Sequence, residues 1–598
     1  MRDLLKLNRF FKKYKGSVIL GVLFLTLANV FLVWIPIMVR QTMDAVEQLM
    51  ENTDETYNSI FNILFNREAG EILATNSLYL LGAVLLYGIF LFATRQTIIV
   101  TSRKIEYDLR NEIFDHLQKL PQSFFNKTSS GDVYTRATED VVRVREYFGP
   151  AFMYTINTLT RAGIIITIMS MVNPMLTFWA LLPLPFLSII AYWVSGFIHE
   201  RSVEIQQQYS KVVGRAQEAY SSVRLIKAYN REEYEQDRFV VESETYRKKK
   251  LKLDIVESLF HPTLNLLIGL SVVLVLWQGG LMVIEGTATV GNIAEFIINV
   301  AYLTWPIASL GFTLNLLQRS AASNNRIQEL MNESIQIQDN RETDTSIRNL
   351  SGEIEFHNVS FTYPDASEPA LINVNMKINS GDNIAIVGRT GCGKTTLVQL
   401  LTRLYDPQKG KITMDGIDIR KIPLSVLRAH IGDVPQETFL FSDTIGENIA
   451  FGVEGASEND IRKAADHAQI LEDILEFDKK FKTTLGERGI TLSGGQKQRT
   501  AIARALIRKP KILILDDSLS AVDTKTENAI AKHLHEIKYG TSILISHRIS
   551  SVKYADYIYF MDEGTITECG THEKLLVLKG KYADMYQKQL LEKELEEI

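Results

Sequence analysis

A chain of 598 residues is longer than one hydrophobic core can organise, so two or more domains are expected. It is 46% hydrophobic and 23% charged, and its net charge of -5 argues against a nucleic-acid partner, which normally meets a basic stripe. Its two cysteines, Cys392 and Cys569, exclude a disulfide framework and fit a reducing compartment.

These averages hide a division. Apolar runs long enough to cross a bilayer crowd the first half, and none follows Leu317. The basic start, from Arg2 through Lys15, leads into an apolar stretch from Val18 to Val39. That stretch is too long for the core of a signal peptide and ends in no clean cleavage site, so it reads as a first span. Six spans are predicted, near residues 17–39, 77–100, 150–172, 174–198, 258–284 and 292–317. Basic residues orient them. The N-terminus stays inside, as do Arg103 and Lys104, whereas residues 41–76 hold one basic residue, Arg67, among many carboxylates and belong outside.

Pro183 and Pro185 in the fourth span and Pro306 in the sixth are predicted kinks. Arg161 falls near the middle of the third span, where an ionisable group is expensive in lipid. It should face a polar cavity or a partner; the other reading places it near an interface. The inward segments, about 101–149 and 199–257, are charged and helical in pattern, too polar for lipid and too long for turns. The spanning helices should therefore continue beyond the membrane and return through short bends. Candidate bends lie at 124–132, with Phe124 and Phe125, and at 219–224, with Tyr220. Aromatics exposed there invite a protein partner, or else pack between neighbouring helices.

Residues 1–320 are thus assigned to a transmembrane domain, 321–350 to a polar linker and 351–598 to a soluble α/β domain. In the last, an apolar strand over 383–387 runs into Gly388-Arg389-Thr390-Gly391-Cys392-Gly393-Lys394-Thr395-Thr396 and then an apolar helical pattern. This is G-x-x-x-x-G-K-T in the strand–loop–helix setting that a phosphate loop needs. Glycines let backbone N–H groups wrap phosphates, and the helix N-terminus adds positive potential. Lys394 is expected to reach the β and γ oxygens of ATP, and Thr395 to offer its hydroxyl to Mg²⁺. A second apolar strand over 511–516 ends in Asp516, placed to hold Mg²⁺ through water. Between them, Leu492-Ser493-Gly494-Gly495-Gln496 opens a helix that runs on through Arg504.

A Walker A loop, a Walker B strand, LSGGQ, Gln436 after a proline and His547 after a strand together resemble an ABC ATPase. With the six spans and long inward segments, the chain resembles ABC exporters of the multidrug type over essentially its whole length. The resemblance implies an α-helical six-span transmembrane domain followed by an α/β P-loop ATPase domain. It implies ATP and Mg²⁺ as cofactors, and an N-terminus and ATPase on the cytoplasmic side of the cell (inner) membrane. Tyr363 matches the aromatic that stacks on adenine, and Gly388 through Thr396 match the phosphate loop. Gln436 matches the residue that senses Mg²⁺ and the attacking water. Residues 484–489 match the segment that contacts the bends, and 520–523 the loop crossing between two sites. Ser493, Gly494, Gly495 and Gln496 match the signature that closes over a nucleotide held by an opposite subunit. His547 matches the γ-phosphate contact. A second half-transporter is therefore implied.

One position departs from the family pattern. Where the family has Glu after the Walker B aspartate, this chain has Asp517. One methylene shorter, its carboxylate sits roughly 1–1.5 Å back, and a displacement of about 1 Å can cost on the order of 100-fold. The expectation is a degenerate site on this chain's own Walker motifs and a non-identical partner; a homodimer that tolerates Asp is the other reading. The expected activity is ATP-driven export of amphipathic compounds, drugs or lipids. An ATP-gated channel or regulatory membrane protein on the same scaffold is the alternative, favoured if rings of like charge line a pore. The spans suit drugs, lipids and hydrophobic peptides equally, so the cargo is left open.

Overall fold

The computed structural model describes residues 7–51, 67–486, 492–518 and 540–596, with positions 526 and 530. The chain divides into two compact units: Met1–His116 with Ser130–Asn332, and Leu117–Ser129 with Glu333–Ile598.

The first unit is helical among the described residues. Backbone groups in lipid must be satisfied within their own segment, and a helix does that. Among the described residues five helical runs are long and apolar enough to cross a membrane: Lys15–Gln48, Glu71–Lys119, Ser130–Val172, Asn265–Ile284 and Val290–Met331. They coincide with five of the six expected spans. The fourth, expected over 174–198, is helical but not one run. Asn173 caps the helix Pro174–Leu181, accepting the Leu176 N–H at 2.9 Å, and a second helix begins at Leu184. Pro183 stands in the gap and Pro185 in the first turn beyond it, positions where a missing N–H costs least. By contrast, Val290–Met331 continues through Pro306 without interruption.

The inward segments are helical, as expected. Val100–Lys119 ends before the short helix Gln122–Lys127, and the chain resumes at Ser130. Leu184–Ser221 turns through Val223–Ala228 into Glu232–Ile284, whose 53 residues far exceed the roughly 20 that span a bilayer. Buried charge on these helices is paired. Glu106 is shared by Arg103, Arg110 and Arg145, and Asp140 is held by Arg326.

The second unit carries two sheets. The first is antiparallel, in the order β2-β1-β4-β5, from β1 (Ile354–Phe361), β2 (Leu371–Ile378), β4 (Lys409–Met414) and β5 (Ile417–Asp418). The second comprises β3 (Asn383–Gly388), β6 (Ile431–Val434), β7 (Ile512–Asp516), β8 (Thr541–Ser546), β9 (Tyr557–Asp562) and β10 (Thr565–Gly570). Its order is β10-β9-β3-β8-β7-β6, and all strands but β10 pair in parallel.

Alternation along β7 explains its unbroken apolar run. Ile512 and Ile514 join a core with Leu397 and Leu400 of the helix Lys394–Leu401. Leu513 and Leu515 join another with Ile502 and Leu506 of the helix Gly494–Leu506. Successive strand residues point to opposite faces, so these two helices cover opposite faces of one sheet. The bend at 117–129 packs with this unit: the Asn126 amide donates to the Tyr405 hydroxyl at 3.1 Å, and Lys127 lies 3.0 Å from Asp365.

Asp415, at φ +52°, ties the start of the unit together. Its carboxylate accepts the N–H groups of Ser351, Gly352 and Glu353 and the Ser351 hydroxyl. Burial pushes this carboxyl up, but the four donors outweigh it and hold the group below the usual carboxylate range. A depressed folded value means stabilisation that is full above about pH 4 and lost as the pH falls through the lower folded value. Asp415→Asn should lower stability by about 1–2 kcal/mol at pH 7. Thermal unfolding of the full chain in nanodiscs checks this: the gap to wild type should shrink below about pH 4, and equal midpoints at pH 7 would contradict it.

Candidate functional site

Four parallel strands deliver the candidate residues to one edge. Val387 of β3 pairs with Ser546 of β8, Ile545 with Asp516 of β7, and Leu515 with Val434 of β6. The phosphate loop, His547, the Asp516–Asp517 pair and Gln436 therefore all leave the sheet at its C-terminal edge. Ligands of open parallel sheets bind outside that edge.

The loop conformation depends on glycine. Gly391 and Gly393 have φ of +85° and +100°, a region residues with a Cβ avoid. A Cβ on Gly393 would also lie 2.5 Å from the Ala370 carbonyl oxygen, and one on Gly388 2.2 Å from that of Met561. Arg389, Thr390 and Gly391 are exposed at the tip, while Cys392, Lys394 and Thr396 are buried. The Lys394 ammonium donates to the carbonyls of Gly388 and Arg389, both at 2.9 Å, which holds it against the loop. Lys394 also opens its helix, so the free N–H groups of the first turn face the loop.

The Thr395 hydroxyl bonds to Asp516. Burial pushes the Asp516 carboxyl up, and Asp517 adds to the rise, while Thr395 and Lys394 oppose it. A buried carboxylate beside a hydroxyl offers the hard oxygen donors that Mg²⁺ takes, so the pair fits that ion. Tyr363 stands against the same helix. Its hydroxyl lies 3.0 Å from that of Thr396 and donates to Gln399 at 2.8 Å, and its ring meets Phe361 and Tyr405 edge-on.

The structure joins two residues that the sequence treats separately. Asp517 has φ +45°, and its N–H donates to the Ile545 carbonyl at 3.0 Å. Its Oδ1 accepts from the His547 backbone N–H at 3.3 Å and from Nδ1–H of the same ring at 3.0 Å. Gln589, on the C-terminal helix Lys581–Glu596, buttresses this turn: its Nε2 donates to the His547 carbonyl at 2.6 Å and its Oε1 accepts the Ile549 N–H at 2.9 Å. No local pattern marks Gln589. Gln436 is exposed and makes no side-chain hydrogen bond among the described residues.

The signature builds a reciprocal cap. Ser493 Oγ accepts the Gln496 N–H at 3.3 Å, and Gln496 Oε1 accepts the Ser493 N–H at 3.1 Å. Gln496 Nε2 also donates to Asp473, so this side chain is engaged within its own helical layer. Ser493 and Gly494 are exposed. Because their helix covers the opposite sheet face, one chain does not bring its signature to its own phosphate loop. Residues 487–491, at the end of the expected 484–489 contact segment, and all of 520–523 lie outside the described residues.

The family model for the ABC transporter transmembrane region matches residues 18–307, and the ABC transporter model matches 371–520. The chain is 37% identical over 489 residues to the probable multidrug resistance ABC transporter ATP-binding/permease protein YheI of Bacillus subtilis, covering 81% of this chain and 83% of that one. It is 34% identical over 530 residues to the multidrug resistance-like ATP-binding protein MdlA of Escherichia coli, covering 88% and 89%. An ATP-dependent lipid A-core flippase of Desulfotalea psychrophila is 35% identical over 486 residues, covering 81% and 84%. The chain belongs to the ABC transporter family.

The transporter also resembles a solved bacterial Atm1-family ABC exporter with ATP bound, at a TM-score of 0.78 and 26% identity over 97% of this chain and 98% of that one. It is an ABC exporter chain: a multi-pass protein of the cell (inner) membrane whose cytoplasmic unit binds and hydrolyses ATP to drive transport. In the transporter Gly393→Ala meets both a left-handed φ and a backbone oxygen, a strain of about 1–3 kcal/mol. ATP affinity should fall by about 10- to 100-fold, read by equilibrium binding of a non-hydrolysable analogue; wild-type affinity would contradict the loop geometry.

Proposed function

We propose that this transporter moves amphipathic compounds, drugs or lipids, out of the cytoplasm or inner leaflet by alternating access. It works as one of two half-transporters that close on two ATP molecules. The placement of signature and phosphate loop on opposite faces of one sheet carries this reading. A nucleotide on one chain's Walker residues needs the exposed Ser493 and Gly494 of a second chain to be capped. The names of the relatives, multidrug exporters and a lipid A-core flippase, support the cargo class.

In this reading Tyr363 stacks on adenine, the loop amides and Lys394 bind the β and γ phosphates, and His547 contacts the γ-phosphate. Thr395, Asp516 and Gln436 would hold Mg²⁺, which when bound offsets phosphate charge. A ligand shifts open and closed forms only through differential affinity. The signature supplies that difference, and loss of the γ-phosphate removes it. Lys394→Ala should lower nucleotide occupancy at this chain's own site, measured by photolabelling with an azido-ATP; unchanged labelling refutes the role.

We further assign a degenerate site to Asp517 and a non-identical chain as partner. Its carboxylate is short for polarising water, and one oxygen is already engaged by His547. Asp517→Asn should then reduce ATP hydrolysis by less than about tenfold, whereas Gly494→Val should cost about 10²–10³ by blocking close approach to phosphate. Near-total loss with Asp517→Asn alone would establish the homodimer reading instead.

A groove for the partner's second bend is also at hand. Phe441, Phe451 and Val453 line a cavity of about 780 Å³ and remain exposed, as do Tyr220, Leu225 and Tyr229 along the bend. Tyr220→Cys in one chain and Phe451→Cys in the other should crosslink. No crosslink in either nucleotide state removes this assignment.

A further inference from the structure

Within the first unit a cavity of about 300 Å³ is lined by Asn29, Tyr87, Arg95, Tyr154, Arg161 and Trp305, with Asn157 and apolar neighbours. Asn29 is fully buried, and both its N–H donors and its carbonyl oxygen are engaged. Its Nδ2 donates to Asn157 at 3.0 Å and to Thr160 at 2.8 Å, and its Oδ1 accepts from Arg161 Nε at 3.1 Å. Three bonds between Lys15–Glu51 and Phe152–Val172 thus fix the orientation of Arg161. They consume its Nε–H and leave the two Nη groups of its fork unspent.

Among the described residues neither Arg161 nor Arg95 meets a carboxylate, and Arg95 has no side-chain partner at all. Arg161 is half-buried and Arg95 exposed, whereas other half-buried arginines of this unit are paired: Arg40 with Glu295, Arg145 with Glu106 and Arg326 with Asp140. Two unpaired guanidiniums in one cavity within spanning segments are costly unless a counter-charge arrives. Arg95 also opens the π-helical turn Arg95–Ile99, an irregularity common at functional positions. By helix rise over the expected spans, Arg95 lies about 8 Å from the cytoplasmic end of its span, in the inner half of the bilayer, and Arg161 about 16 Å from its own, near the midplane.

We propose that this cavity is a binding site for amphipathic anions. A phosphate or carboxylate headgroup sits on the Arg161 fork and on Arg95, and an apolar tail lies against Tyr87, Tyr154 and Trp305. A planar fork with two free N–H₂ groups matches such oxyanions bidentately, and the aromatic rings supply apolar contact. Calling the occupant cargo rests on the export reading above; the binding chemistry does not.

The test uses the natural assembly in phosphatidylcholine nanodiscs and two radiolabelled probes with the same tail, dodecyl phosphate and dodecyltrimethylammonium. After subtraction of empty-nanodisc partitioning, dodecyl phosphate should bind about tenfold tighter, which corresponds to about 1.4 kcal/mol. Arg161→Gln and Arg95→Gln should each remove most of that preference, and the Lys variants should keep it. Arg95→Glu should turn the preference toward the ammonium, a reversal that misfolding cannot produce. Adding phosphatidylglycerol distinguishes the sources: competition identifies a lipid headgroup as the anion, and its absence a soluble amphipath. Equal affinity for the two probes, or Gln variants that bind like wild type, overturns the site. Anion binding without outward movement would leave the site standing and sink the export reading. Export of other compounds without anion preference would do the reverse.

Discussion

Parallel pairing of β6, β7, β8 and β3 is the constraint on which the ATPase unit depends. Strands that run the same way end at the same edge, so residues from positions 388, 434, 516 and 546 onward emerge together. The same pairing requires helical connections, and these cover both faces. The phosphate-loop helix takes one face and the signature helix the other. A single topological fact therefore brings the Walker residues to one edge and sets the signature helix on the opposite face.

At that edge, local strain and hydrogen bonding set the finer geometry. Asp517 occupies a left-handed conformation that aspartate tolerates better than most side chains. From there its carboxylate reaches back to the turn after β8. Gln589 holds the other side of that turn with two bonds to the backbone. The His547 turn is thus gripped from both the Walker B strand and the C-terminal helix. Any movement of the histidine toward a phosphate must exchange these contacts for others.

The membrane unit obeys a different solvent. Hydrogen bonds must close within or between helices, which makes polar side chains in the spans conspicuous. Asn29 meets that demand by giving both N–H donors to the neighbouring helix and accepting from Arg161 on it. Arg161 meets it only in part, which is why its cavity is read as a site and not as packing. The break between Leu181 and Leu184 follows from proline, which withholds a backbone donor; at the other end of the first helix Asn173 accepts the Leu176 N–H, one of the free donors of its first turn.

The amino-acid sequence by itself determined whatever depends on neighbours along the chain. Phosphate loops need glycine at fixed spacing, a capped helix needs Ser493 and Gln496 three apart, and a span needs a long apolar run. Hence the Walker motifs, the signature and five uninterrupted spans were legible. The break in the fourth span was legible too, because Pro183 lacks the backbone donor that a continuous helix needs there. Only the tertiary structure decided which distant residues meet. Asp517 with His547, Gln589 behind them, and Arg95 beside Arg161 in one cavity leave no periodic trace, because each contact joins segments separated by dozens of residues. The opposite placement of phosphate loop and signature belongs there too, since which face of β7 each helix covers is fixed by packing across the sheet.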